Sequence, residues 1–251
     1  MVLIVIIDMK PFNSEYYDYE YFADKRGKAF KRPDGSVEYW GYKNPSGDYL
    51  GANEIAAAWK KIFNPEKLLD VGAGRGIFIA YAQESGINSE GFDYSEWAVS
   101  DEGRFDRCKK EWLIRHDATE TWPYPDNSFD MVTSLDLLEH IYPEDLDFVL
   151  KEFFRVSSKW VFLQIATVDG IREIGYALKK EDPIPFDTDA RTWAGHVNVQ
   201  TEEYWYDMLE REDWIPRRDL VQYFYSEVKS GIVSNWVQNS LVILEKMNNE
   251  L

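Results

Sequence analysis

The pattern of apolar and polar positions changes rhythm near residue 52. Before it, residues 12–50 interleave aromatic side chains with glycine and charge, as in Tyr16, Tyr17, Tyr19, Tyr21, Tyr39, Trp40, Tyr42 and Tyr49. They hold no sustained period, so residues 1–51 are expected to form an N-terminal arm or cap that either covers a sheet edge or faces a ligand. The opening run Met1–Ile7 is apolar, but Asp8 ends it. It is too short to span a bilayer and lacks the basic flank of a secretory signal, so it reads as a short strand or an upstream start-site artefact.

From residue 52 to 251 the pattern regularises and predicts one domain. Asn53 is placed to cap a helix over Glu54–Phe63, which Pro65 stops. Lys67–Val71 is a short apolar run and Lys159–Ala166 a near-continuous one, and both predict strands, with further strands expected at Ser89–Asp93, Trp112–His116 and Phe129–Leu135. Helices are predicted between them, at Ile77–Glu84 (ended by Gly86), at Glu96–Glu102, and from Pro143 along the stripe Leu146, Val149, Leu150, Phe153 and Phe154. Thr201 is placed to cap a helix running to Arg211, and Leu220–Phe224 and Ser240–Glu245 are expected as late strands. Strand–helix alternation implies an α/β fold: a mostly parallel sheet with helices on both faces.

Composition narrows the function. The chain has 251 residues, room for one large domain with a small extension. Its net charge is −17, and residues 65–251 carry all of it. No run of Lys or Arg exceeds two, so phosphate backbones and anionic lipid headgroups are poor partners, and neither nucleic acid nor a membrane is expected. A single cysteine, Cys108, excludes an internal disulfide framework and fits a reducing, cytoplasmic setting. His116, His140 and His196 are widely spaced in sequence, so no His-rich metal site is expected.

The most informative stretch is Leu68-Leu69-Asp70-Val71-Gly72-Ala73-Gly74-Arg75-Gly76, a buried strand running into three alternate glycines and then a helix. Glycine lets the backbone turn sharply and approach a ligand closely, and the helix N-terminus behind favours polar or anionic groups. A dinucleotide binder wants G-x-G-x-x-G, but position 77 is Ile. The G-x-G-x-G spacing, with Asp70 two residues before it, resembles motif I of the class I S-adenosylmethionine-dependent methyltransferases. The order downstream strengthens the resemblance: Gly91-Phe92-Asp93, then His116-Asp117-Ala118, then Trp122-Pro123-Tyr124-Pro125-Asp126-Asn127-Ser128-Phe129-Asp130, and then Leu137-Leu138-Glu139-His140-Ile141. It covers about residues 65–166. One departure is Ser157-Ser158-Lys159-Trp160, where the family often has Lys-Pro-Gly-Gly. The turn there should differ, without touching the cofactor site.

The resemblance implies a Rossmann-like seven-stranded sheet of order 3-2-1-4-5-7-6 and S-adenosylmethionine as cofactor. It implies that Gly72, Ala73 and Gly74 face the cofactor, that Asp70 organises their loop, and that Asp93 accepts both ribose hydroxyls. Asp117 and Ala118 would meet the adenine, and Leu135 would close the site from the end of the fourth strand. Tyr94 lies against the adenine or is a surface aromatic. His140 is expected to support its loop rather than do chemistry.

No catalytic dyad has convincing spacing. Methyl transfer needs alignment above all, with a base only where the nucleophile is a hydroxyl. His196, beside Gly195 and Asn198 after the fifth strand, is the candidate base. Its competing reading is a histidine that ties this loop to the next helix. The expected acceptor is a small polar molecule, a sugar or another metabolite. A non-catalytic cofactor-binding module of the same fold and a methyltransferase for basic proteins remain the competing functions. Oligomeric state is not legible.

Overall fold

The computed structural model describes residues 12–22, 29–31, 37–39, 51–167, 196–228 and 241–247. The apolar run at 1–7 and residues 192–195 beside His196 lie outside them, as do Trp40, Tyr42 and Tyr49. In chain order the arm contributes α1 (Tyr19–Phe22) and the antiparallel pair β1 (Ala29–Lys31) and β2 (Val37–Tyr39). Then follow α2 (Ala52–Ile62), β3 (Lys67–Val71), α3 (Ile77–Glu84), β4 (Asn88–Asp93), α4 (Glu96–Val99), β5 (Leu113–Arg115) and β6 (Phe129–Leu135). The remainder comprises α5 (Pro143–Val156), β7 (Ser157–Gln164), α6 (Glu202–Leu209), β8 (Trp214–Pro216), α7 (Arg218–Glu227) and β9 (Leu241–Lys246).

Among the described residues, seven strands form one sheet in the order β5-β4-β3-β6-β7-β9-β8. Numbered along the domain, that is the order 3-2-1-4-5-7-6 implied by the sequence. Strands β3 to β7 run parallel, and β9 runs antiparallel to both β7 and β8. Alternation along each strand sends successive side chains to opposite faces. Leu68, Met131, Phe162 and Ile243 meet α2, α3 and α7 on one face. Leu69, Val71, Val132, Val161, Leu163 and Val242 meet α5 and α6 on the other. Both faces are therefore dry, which is why β7 reads as a near-continuous apolar run. No helix among the described residues is long and apolar enough to cross a membrane.

Three local expectations are corrected. The first domain helix begins at Ala52, with Gly51 at φ 85° as its N-cap and no side-chain cap from Asn53. Helix α4 stops at Val99, because Ser100 turns extended and its hydroxyl donates to the Trp97 carbonyl (2.7 Å). Leu220–Phe224 is not a strand: it lies within α7, whose Val221, Phe224 and following Val228 recur at helical spacing against the core. The strand instead precedes it, at Trp214–Pro216. The Thr201 cap is as expected, its hydroxyl accepting from the Tyr204 amide at 3.1 Å, an interaction worth about 1 kcal/mol.

Candidate functional site

In a parallel sheet ligands gather where the strands end and their loops diverge. Here β3, β4, β5 and β6 all end at one edge, and each loop supplies part of a cavity of about 180 Å³.

The glycine loop leaves β3 with Gly72 at φ 71° and Gly74 at φ 52°, a region that side chains other than glycine's adopt at a cost. The Gly72 and Ala73 amides both donate to the Phe92 carbonyl at 3.0 Å, which folds the loop back over β4. A Cβ at Gly72 would lie 2.9 Å from Leu137 Cδ1 and 3.1 Å from its Cβ, so the Leu137 side chain would have to give way to it. Among the described residues a Cβ at Gly74 would find only Phe22 of the arm, at 3.6 Å, which leaves room beside it for a ligand.

Asp93 ends β4. Its Oδ2 accepts from the Gly74 amide and its Oδ1 from the Ser95 amide, both at 2.7 Å. Burial pushes its carboxyl above the usual range, and the two N–H donors oppose that shift. One lone pair on each oxygen remains for a diol. Asp117 lines the same cavity, but its Oδ1 accepts from the Thr119 amide and hydroxyl, each at 2.8 Å. That oxygen holds its own loop.

Gly72, Gly74, Asp93, Tyr94, Asp117, Ala118 and Leu135 are thus brought together on the cavity wall. Asp70 and Ala73 are not. They border a smaller cleft under the loop with Arg75, Ile77 and Phe78. Asp70 is fully buried, accepts from the Thr133 hydroxyl at 3.0 Å and is pushed up to about 7 by burial. Its carboxyl thus meets the neighbouring strand β6.

The arm roofs the cavity. Phe12, Asn13, Tyr17, Tyr21 and Phe22 line it, and Tyr21 and Phe22 pack against Ala98 and Trp97 of α4. The Ser95 hydroxyl donates to the Tyr17 carbonyl. Burial raises the Tyr17 phenol well above its ordinary value, which keeps it neutral, and its oxygen lies 3.2 Å from His140 Nδ1.

The far end of the cavity is built by the loop after β6. Asp136, at φ 58°, turns the chain there, its amide donating to the Gln164 carbonyl at 2.9 Å. His140 lines the cavity, whereas His196 does not. His196 stands edge-on behind His140, with ring centroids 4.6 Å apart, and its Nε2 lies 3.9 Å from Glu139 Oε1. Glu139 is wholly buried, and its Oε1 accepts from the Ala166 amide at 3.1 Å. Burial raises its carboxyl well above the usual range, and nearby Asp136 raises it further. Asp136 is itself raised by burial.

The sequence reading missed Asp136, Glu139, Tyr142 and the arm's Phe12, Asn13 and Phe22 as parts of one site. The available signals were a carboxylate-rich stretch directly after an apolar strand and an aromatic arm with no core of its own.

A methyltransferase-domain family model matches residues 47–216 of the chain. The chain is 28% identical over 160 residues to a protein of Mycobacterium tuberculosis named as a probable fatty acid methyltransferase, a match covering 59% of this chain and 36% of that protein. The chain therefore spans little more than a third of that relative's length. Among solved structures, the plantazolicin methyltransferase BpumL, in complex with a desmethyl-plantazolicin analogue and S-adenosylhomocysteine, superposes with a TM-score of 0.53 at 16% identity, over 82% of this chain and 86% of that one. A structure described for the conversion of a disulfide into a thioacetal during echinomycin biosynthesis gives 0.56 at 14% identity, over 94% and 92%. A Pyrococcus horikoshii protein gives 0.50 at 20% identity, over 75% and 85%. At such identities these structures speak for the fold. The stretch matched by the family model carries the glycine loop and the strand-end loops of the cavity, though not its arm, and the chain belongs to the methyltransferase-domain family, within the class I S-adenosylmethionine-dependent methyltransferases.

Proposed function

We propose that the protein transfers the methyl group of S-adenosylmethionine to a small-molecule acceptor with a polar nucleophile, such as a hydroxyl of a sugar or a comparable metabolite. The observation that carries this reading is the roofed cavity, with a carboxylate over a glycine loop at one end and an imidazole at the other. The residues fit the cofactor: the open space beside Gly74 admits close approach, and Asp93 keeps one lone pair per oxygen for two ribose hydroxyls. Bound there, the cofactor supplies a sulfonium-activated methyl group, whose bond to sulfur breaks as its bond to the acceptor forms.

The chain's own residues bind, orient and exclude water. Asp93, Gly72 and Gly74 hold the ribose and the backbone of the cofactor. Tyr94, Ala118 and the Asp117 loop receive the base, and Leu135 closes the floor. Asp70 and Ala73 act indirectly, by shaping the loop. The arm's Tyr17, Tyr21 and Phe22 cover the cavity, and water exclusion strengthens every polar contact beneath them. His140 meets the acceptor's polar atom. His196, the base candidate of the sequence, acts through His140 as a positioning residue.

The test has two stages. Calorimetry with S-adenosylmethionine, S-adenosylhomocysteine and NAD should show binding of the first two. Incubation with methyl-labelled cofactor and a fractionated metabolite pool, or with basic proteins, should then place label in a small-molecule fraction. Label confined to protein would overturn the acceptor class, and NAD binding without sulfonium binding would overturn the cofactor.

A further inference from the structure

Glu139, His140 and His196 converge in a way that methyl transfer does not require. One ligand-capable atom from each lies within 4.8 Å of the other two. Ligand atoms about 2.1 Å from a tetrahedral ion sit about 3.4 Å apart. The 3.9 Å between His196 Nε2 and Glu139 Oε1 is thus close to a ligand spacing before any ion arrives.

Two further observations separate this cluster from an accidental meeting of polar groups. Glu139 is 0% exposed, and its Oε2 finds no hydrogen-bond partner among the described residues. A buried carboxylate oxygen left in that state costs free energy unless a charge or donor meets it. The backbone also fixes the arrangement. The Glu139 carbonyl accepts from the Val197 amide at 2.8 Å and from the Asn198 amide at 2.9 Å. The chain segment carrying His196 is therefore stitched directly to the residue whose carboxylate it faces. Three groups, from two stretches more than fifty residues apart, are locked into one place by main-chain bonds that involve none of their side chains.

We propose that Glu139, His140 and His196 form a binding site for a divalent transition-metal ion at the acceptor end of the cavity. Two imidazoles and one carboxylate suit zinc, iron(II) or cobalt rather than magnesium or calcium, which prefer all-oxygen ligands. Three protein ligands leave a coordination position open, and one of the three, His140, lines the cavity. An acceptor hydroxyl placed there would lose its proton more readily. The cluster geometry carries the site, and its action on an acceptor rests on the methyl-transfer reading.

The experiment is metal titration of the full chain, stripped with chelator. Calorimetry with Zn²⁺ should give one site of defined stoichiometry. Co²⁺ should give visible d–d absorption of a low-coordinate nitrogen/oxygen site, and Mg²⁺ should give neither. Glu139→Gln keeps the shape of the side chain and His140→Ala lies on the cavity wall, so both should fold, as checked by circular dichroism. Each should lose Zn²⁺ affinity by at least about tenfold, the lower range for disturbing even an outer partner of a metal site. His196→Ala should do the same wherever its melting curve shows a folded protein. Absence of Zn²⁺ binding, or equal binding by wild type and the Glu139→Gln and His140→Ala variants, would overturn the proposal. S-adenosylmethionine affinity, measured in parallel, reports separately on the cofactor end.

Discussion

Ser95 grips Tyr17 by its backbone. Its hydroxyl donates to the Tyr17 carbonyl while accepting from the Ala98 amide at 2.9 Å, and its own amide donates to Asp93 Oδ1 at 2.7 Å. One residue therefore joins the roof to the Asp93 carboxylate. Ser95→Ala removes both hydroxyl contacts and should cost about 1–2 kcal/mol of stability, the range for a lost cap. It should also speed proteolytic cleavage within residues 12–22 and weaken cofactor binding. An arm that stays as protected as in wild type would mean that ring packing against Trp97, not this bond, holds it.

Tyr17→Phe leaves the ring and removes the oxygen 3.2 Å from His140. A net hydrogen bond is worth about 0.5–1.5 kcal/mol, so the melting temperature should barely move. Turnover should fall while cofactor affinity, set at the Asp93 end, stays put. A variant with unchanged kcat would reduce Tyr17 to packing.

The two glycines of the loop should fail in different ways. Both sit at positive φ, where a side chain costs roughly 1–2 kcal/mol. Gly72→Ala also drives a Cβ to 2.9 Å from Leu137, so it should lower the melting temperature markedly. Gly74→Val meets only Phe22 among the described residues and should fold, yet lose S-adenosylmethionine binding by filling the ligand's space. Asp93→Ala should weaken the same binding by about 1–3 kcal/mol, as for a buried hydrogen-bonded charge. Paired thermal melts and titrations separate the two effects, and normal binding by both Gly74→Val and Asp93→Ala would place the cofactor elsewhere.

Asp70 should set a pH dependence of stability. Burial pushes its carboxyl up to about 7, well above the ordinary carboxylate range. Between that range and neutrality the folded protein keeps the proton and the unfolded chain releases it. Folding stability therefore falls as pH rises through this window, by about 1.4 kcal/mol for each tenfold drop in proton concentration. Asp70→Asn keeps the acceptor for Thr133 and removes the titration. Relative to wild type it should gain stability at pH 8 and gain little at pH 4. A wild-type-minus-variant difference that does not change with pH would show that Asp70 is not the titrating group.

The sheet was legible because its strands are short apolar runs with clear ends. Lys67–Val71 and Phe129–Leu135 match the structure to the residue. Helix α7 was not, because Leu220, Val221, Tyr223 and Phe224 form an apolar cluster that mimics a strand when the window is five residues wide. The helical period emerges only when Val228 is included. The meeting of Gly72, Gly74 and Asp93 on one cavity wall could be read from local spacing, since they lie within 22 residues of sequence. The other end of the cavity could not. Tyr17 and His140 are 123 positions apart, and no local period links them. His196 was singled out for its own chemistry, but its relation to Glu139 depends on a main-chain pairing that only the fold creates.

The stitching near Glu139 has a counterpart where β7 leaves the sheet. Thr167 forms a bridge with Gln200, so the polypeptide departs from and returns to a single point at the ligand-binding edge. An insert between Thr167 and His196 is therefore closed at both ends by residues that the fold already fixes. Doubling the length of such an insert costs only about 0.6 kcal/mol of closure entropy. Evolution could thus lengthen or exchange such an insert, and a laboratory graft could do the same, while the strands that carry the glycine loop and Asp93 keep their register.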